Sequence, residues 1–127
     1  MPSTKFPPGF AAGVRHFNAG RFFEAHEAFE DLLDEVETDD RWDLLVALIQ
    51  VAVGYHKAAS GHPGSNKMLR LGAEKLAPFG PVAHGVDVQA LRDRLTQDQA
   101  ILEAGQSLAP HLATAPPRMR LRRREAS

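Results

Sequence analysis

Glu24, His26, Glu27 and Glu30 fall close together in the run Phe22-Phe23-Glu24-Ala25-His26-Glu27-Ala28-Phe29-Glu30. Imidazole and carboxylate groups at helical spacing can hold a divalent metal, move a proton, or pair with each other inside a core. Phe22, Ala25, Phe29, Leu32, Leu33 and Val36 also recur at helical spacing, so one face of this segment is buried. At about 100° per residue, His26 falls on the side of Phe22, Phe29 and Leu33. Glu30 lies on the shoulder of that stripe, and Glu27 turns toward solvent. A polar ring set against a core needs a partner, because an unpaired buried polar group costs about 1–3 kcal/mol.

A second set of polar groups stands in the most apolar stretch of the chain. Gln50 interrupts the run Leu44–Gly54, and His56 follows on the side of Leu45, Ile49 and Ala52, which predicts that it faces the interior. If the helices bearing His26 and His56 pack antiparallel, both rings approach one another with an axial offset of roughly 9 Å. A short connection over 37–40 favours that packing. The residues that would act are then His26, Glu27 and Glu30 as a general base with its orienting carboxylates. Gln50, His56 and Trp42 would contact a small ligand, and His26, Glu30 and His56 would ligate a divalent metal of the kind helical bundles hold. The spacing Glu-x-His-Glu-x-x-Glu is neither the His-Glu-x-x-His of zinc hydrolases nor the Glu-x-x-His of di-iron bundles. No hydroxyl or thiol nucleophile is placed beside His26, since Ser60 and Ser65 lie in a loop and cysteine is absent.

The elements that would position these groups are helices. Pro7 and Pro8 open a first helix over 9–19, ended by Asn18-Ala19-Gly20. A second covers 21–36. Thr38, Asp39 and Asp40 offer cap oxygens to a third over 40–60, apolar on most of its circumference and therefore central and buried. Ser60-Gly61-His62-Pro63-Gly64 breaks the chain, a fourth helix covers 65–77, and Asp87 caps a fifth over 88–107. Together they predict an all-α fold, one compact bundle of about five helices over 9–108. A Pro-containing, Arg-rich flexible tail over 109–127 follows.

The totals narrow the function classes. At 127 residues, with 43% hydrophobic and 24% charged residues, the chain suits one domain. It has no cysteine, no apolar run long enough to span a bilayer, and no signal-peptide pattern in Met1-Pro2-Ser3-Thr4-Lys5, which together predict a cytoplasmic protein without a membrane role. The net charge of −1 hides two poles: ten acidic residues within 21–43, and five arginines, Arg118, Arg120, Arg122, Arg123 and Arg124. That cluster could touch nucleic-acid phosphate weakly and without sequence preference. The domain before it is net acidic, so nucleic-acid binding is not the expected function.

Three blocks resemble the DUF309 family, also called the TTHA0068-like superfamily. Phe17-Asn18-Ala19-Gly20-Arg21-Phe22-Phe23-Glu24-Ala25-His26-Glu27 is similar to its signature. Leu48–His56 is similar to its central buried helix, and Gly85-Val86-Asp87-Val88 to its late turn into a last helix. The resemblance covers about residues 9–95 and implies a small all-helical bundle, with no established activity. The chain departs from the family in carrying Leu33-Asp34 where a tryptophan is usual, a space Trp42 can fill, and Gly61-His62 where Gly-Asn is common. Gly13, Gly20, Phe22, Ala25 and Phe29 are also similar to one tetratricopeptide unit, which implies that the first two helices form a close hairpin. The functional reading is a helical-bundle protein with a polar site around His26 and Glu30, serving as a structural network or a small-ligand or metal site. Two alternatives stand beside it. One is a non-catalytic interaction module that pairs with a second copy of itself. The other is a metal-dependent or histidine-based enzyme acting on a small molecule.

Overall fold

The computed structural model describes residues 6–122. After Pro7 and Pro8 the chain enters α1 (Phe10–Asn18), turns through Gly20 at φ 81°, and returns as α2 (Phe22–Glu30). The two helices are close enough that a Cβ on Gly13 would run into the ring of Phe29. This is the close hairpin expected from the small-and-aromatic spacing.

α2 stops well short of residue 36. A 3-10 turn over Leu33–Glu35 replaces its last turns. A continuous helix would have placed Asp34 and Glu35 beside its own unpaired carbonyls, where the helix dipole disfavours negative charge. The tighter turn still seats Leu32 and Val36 in the core, at 5% and 0% exposure.

α3 (Arg41–Ala59) begins where Asp39 accepts the Arg41 backbone N–H at 2.8 Å and also its guanidinium. Those bonds hold the Asp39 carboxyl down at about 2. As expected from its apolar circumference, α3 is the centre of the molecule. Leu44, Leu45, Ala47, Leu48, Val51, Ala52 and Tyr55 have no exposed surface. α4 (Ser65–Leu76) packs along it very closely: a Cβ on Gly72 would lie 2.7 Å from Val51 Cγ2, and one on Gly54 would lie 2.6 Å from Leu69 Cδ2. α2, α3 and α4 thus form a layer with α3 in the middle.

The fold is all-α apart from a small hairpin. β1 (Val82–Ala83) pairs antiparallel with β2 (Val86–Asp87) through His84 and Gly85, at φ 49° and 83°. Two consecutive left-handed residues make the two-residue turn whose twist suits paired strands. Asp87 then caps α5 (Val88–Glu103), accepting the Ala90 N–H at 2.9 Å. That bond, with Arg122 nearby, holds the Asp87 carboxyl below its ordinary value. Among the described residues this makes five longer helices and one short sixth, α6 (Ala109–Thr114).

The segment expected to be a loose tail is docked over its described length. Leu112 and Met119 are buried, at 8% and 2% exposure. Asn18 grips the backbone of Met119 from both sides: its amide donates to Met119 O at 3.0 Å, and its Oδ1 accepts the Met119 N–H at 2.7 Å. Leu121 bridges Val86 as an added strand, with Asp87 N–H donating to Arg120 O and Arg122 N–H to Gly85 O. The apolar residues Leu112 and Met119, scattered among prolines and arginines, fill what five helices leave open. Arg123 and Arg124, like Met1–Lys5, lie outside the described residues.

Candidate functional site

α2 and α3 run antiparallel. The rings of Phe22 and Tyr55 lie 5.5 Å apart, and those of Phe23 and His56 5.4 Å apart. His26 sits one turn beyond Phe23, with ring centroids 5.1 Å apart. Phe23 therefore stands between the two histidines, and it is 45% exposed. This arrangement, on the outer side of the α2–α3–α4 layer, organises the residues singled out from the sequence.

His26 is only partly buried, with 19% of its side chain exposed. Its Nε2 lies 2.7 Å from Glu30 Oε2, and its Nδ1 lies 2.9 Å from the Phe23 carbonyl. Both neighbours are acceptors, so both contacts are filled when the ring carries both protons. The expected pairing with a carboxylate and a backbone group is present. A general base, however, needs a free ring nitrogen facing its substrate, and here each nitrogen faces an acceptor. Glu27 is exposed, and Glu30 is half-exposed.

His56 is exposed, against the expectation that it faces the interior. Tyr55, its neighbour, takes the buried position, and the rotation of α3 that seats Leu48, Val51, Ala52 and Tyr55 turns His56 out. The ligand set His26, Glu30 and His56 is not assembled. Phe23 separates the imidazoles, and among the described residues no three His, Asp or Glu side chains are grouped to hold a metal ion. Gln50 is half-buried with its Oε1 buried and unpartnered, so that oxygen makes no network with His26 or Glu30. Trp42 is 37% exposed at the other end of α3.

The pair is a helix-surface feature, so His26→Ala is expected to cost about 0.5–1 kcal/mol, the scale of an exposed i,i+4 pair with one added hydrogen bond. Urea denaturation measures it, and a loss beyond about 3 kcal/mol would mean that His26 supports more than its own turn of helix.

Sequence reasoning passed over the most buried polar cluster. Tyr55 donates its hydroxyl hydrogen to Asp98 Oδ2 at 2.5 Å, and Arg94 Nε donates to the same oxygen at 2.8 Å. The Arg94 guanidinium also reaches Ala115 O at 2.5 Å. Asp98 is 2% exposed. Burial, then the nearby Asp98 charge, pushes the Tyr55 phenol well above its ordinary value. The signal was available: Leu91, Leu95, Asp98 and Leu102 share one stripe of α5, and a carboxylate on an apolar stripe requires a donor. This cluster ties α3, α5 and the segment after α6 together, with Tyr55 and Asp98 buried and Arg94 reaching the surface.

Of the other charged candidates, His84 is paired with Asp40 at 2.7 Å, and Arg122 lies 3.3 Å from Asp87. Arg118 and Arg120 are exposed. Among the described residues no helix is long and apolar enough to cross a membrane.

The family model described as a domain of unknown function, DUF309, matches residues 10–69, from the start of α1 into α4. The comparison with curated proteins finds no match. The matched stretch holds the α1–α2 hairpin, His26, the whole of α3 and the close approach of Gly54 to Leu69, and over it the chain is similar to the DUF309 family.

Proposed function

We propose that the chain is a non-catalytic helical docking module that acts through the outer face of the α2–α3–α4 layer. One observation carries this reading. Trp42, Val46, Ile49 and Val53 follow one another at helical spacing along the uncovered side of α3, half-buried or exposed, and Phe23 extends the strip from α2. From Trp42 to His56 the strip runs about 21 Å along the helix. Contiguous apolar surface of this kind marks a contact site on a small domain. The His26–Glu30 pair borders the strip and holds that edge of α2 in place. Neither a free base nor a nucleophile stands beside it.

Photo-crosslinking tests the reading. Benzoylphenylalanine replaces Phe23 or Trp42 in the full chain, and Gln97, exposed on α5, serves as control. Discrete adducts at positions 23 and 42, identified by mass spectrometry, absent at 97 and lost when Val53→Lys is added, are expected. Equal labelling at all three positions would overturn the docking surface.

A further inference from the structure

We infer that the closing strand over 117–122 is a rail for the phosphate backbone of single-stranded nucleic acid, completed by Arg15 of α1. The site is separate from the docking face and does not rest on it.

The chain is net acidic, but its acids are unevenly spread. Residues 6–23 and 104–122 contain no Asp or Glu. The Asn18 clamp on Met119 brings these two acid-free stretches together in space. Pro117 and Met119 are buried there while Arg118 and Arg120 are exposed, the alternation of an extended strand. Arg122 continues the outer side, with 63% of its side chain exposed. Three guanidinium groups therefore stand in one row, about 6.7 Å apart. That step is close to the separation of neighbouring phosphates along an extended nucleic-acid strand. The row is held in place at both ends: Asn18 grips both backbone groups of Met119, and β2 bonds the chain on either side of Leu121.

α1 supplies a fourth cation. Arg15 is exposed and lies one turn before Asn18 on the same flank of the helix. The strand runs along this flank toward the start of α1. Arg122 N–H donates to Gly85 O, and the adjacent His84 ring meets Phe6, which stacks on Phe10. Arg15 is thus about level with Arg120.

The carboxylates around the strand leave this row in excess. α1 has none. On β2, Asp87 caps α5, lies 3.3 Å from Arg122 and stands across from Arg120. On α5, Asp98 is buried against Tyr55 and Arg94, and Asp93 accepts the Gln89 amide. Next to the hairpin, Asp40 is paired with His84. Arg21, in the α1–α2 turn, has Glu24 one turn on and is not counted in the row. Asp87 alone is set against Arg118, Arg120, Arg122 and Arg15, and the sequence continues with Arg123 and Arg124. Residues 117–122 include no aromatic side chain for a base to stack on, so phosphate is recognised and base sequence is not.

Fluorescence anisotropy of a short labelled oligothymidine with the full chain tests this. A Kd of about 1–100 µM is expected near physiological salt, the range of contacts made through phosphate alone. Arg118→Ala/Arg120→Ala is expected to weaken binding at least about tenfold and to flatten the log–log salt slope by about 1.4, two contacts at about 0.7 each. Arg118→Lys/Arg120→Lys keeps the charge and is expected to keep most of the binding. Arg15→Ala is expected to cost about threefold and about 0.7 of slope. Arg70→Ala, on the exposed side of α4, is expected to change neither. All four arginines are exposed, so each variant should keep the original melting curve by circular dichroism. Arg15 separates a docked rail from a loose basic tail, because it lies far from the tail in sequence and beside it only in the fold. No binding at low salt, or an Arg15→Ala chain that binds like Arg70→Ala, overturns the rail. Tighter binding to a duplex of the same length, or to phosphatidylserine vesicles, overturns the single strand as its partner.

Discussion

Asp98→Ala is expected to remove about 3–5 kcal/mol of stability, the scale of breaking a buried charged cluster by deleting one member. The Tyr55 hydroxyl and the part-exposed Arg94 guanidinium both lose their shared acceptor, and the hydroxyl is left in a fully buried position. For a domain whose total stability is of order 5–15 kcal/mol, that is a large share of it. Guanidinium denaturation monitored by circular dichroism measures the loss. A change under 1 kcal/mol would mean that the cluster contributes nothing beyond its packing. Tyr55→Phe is a milder probe, expected at about 1–3 kcal/mol. The same contact has a pH signature. The Tyr55 phenol is raised above its ordinary value of 10.0 in the folded chain. Its contribution is therefore complete below about pH 10 and is lost as pH rises through the folded value. Tyr55 is the only tyrosine, so tyrosinate absorbance reports this single group. Alkaline unfolding and tyrosinate formation should coincide, and the Tyr55→Phe chain should lack that limb of the stability curve.

Removing residues 117–127 is expected to lower the melting temperature by at least about 10 °C, if the chain folds at all. Burial of a methionine side chain such as Met119 is worth about 2–5 kcal/mol. Each lost Asn18 bond adds about 0.5–1.5 kcal/mol, and each kilocalorie moves a domain of this size by several degrees. The sequence alone implies the opposite, since a flexible tail over 109–127 is removable without loss of the fold. Asn18→Ala separates the clamp from the rest: it keeps Met119 and removes both side-chain bonds, so about 1–3 kcal/mol should go. Scanning calorimetry on the two variants decides the matter. An unchanged melting temperature in the truncated chain would show that residues 117–122 rest on the bundle without supporting it.

The helices were legible because their signals are local. The apolar circumference of α3, the proline and glycine breaks and the Asp87 cap all read directly from spacing. The early end of α2 was missed because Leu32 and Val36 keep helical spacing while the acids between them favour a tighter turn. At the candidate site, the His26–Glu30 pair was readable from i,i+4 spacing. The orientation of His56 was not, since a helix apolar nearly all round leaves its rotation to be settled by its neighbours, here α2 and α4. Met119 and Asp98 escaped for one shared reason. Their partners, Asn18 and Tyr55, lie 101 and 43 residues away, and nothing in a local pattern encodes such a distance.

That distance also bears on the order in which the molecule assembles. The α1–α2 hairpin and the α2–α3 and α3–α4 pairings join neighbours in the chain, so they close short loops and can form quickly. The Asn18–Met119 clamp closes a loop spanning most of the described chain, and Met119 is synthesised after every helix it helps to seal. The DUF309 stretch is thus complete before its closing strand exists. Until that strand arrives, Asn18 is unclamped and Val86 lacks its bridge to Leu121. A nascent chain in this interval exposes the edge of β2 to any other extended strand, including the 117–122 segment of a second molecule. Strand exchange through this segment during synthesis would leave two chains each wearing the other's closing strand, a linkage distinct from any pairing of finished surfaces.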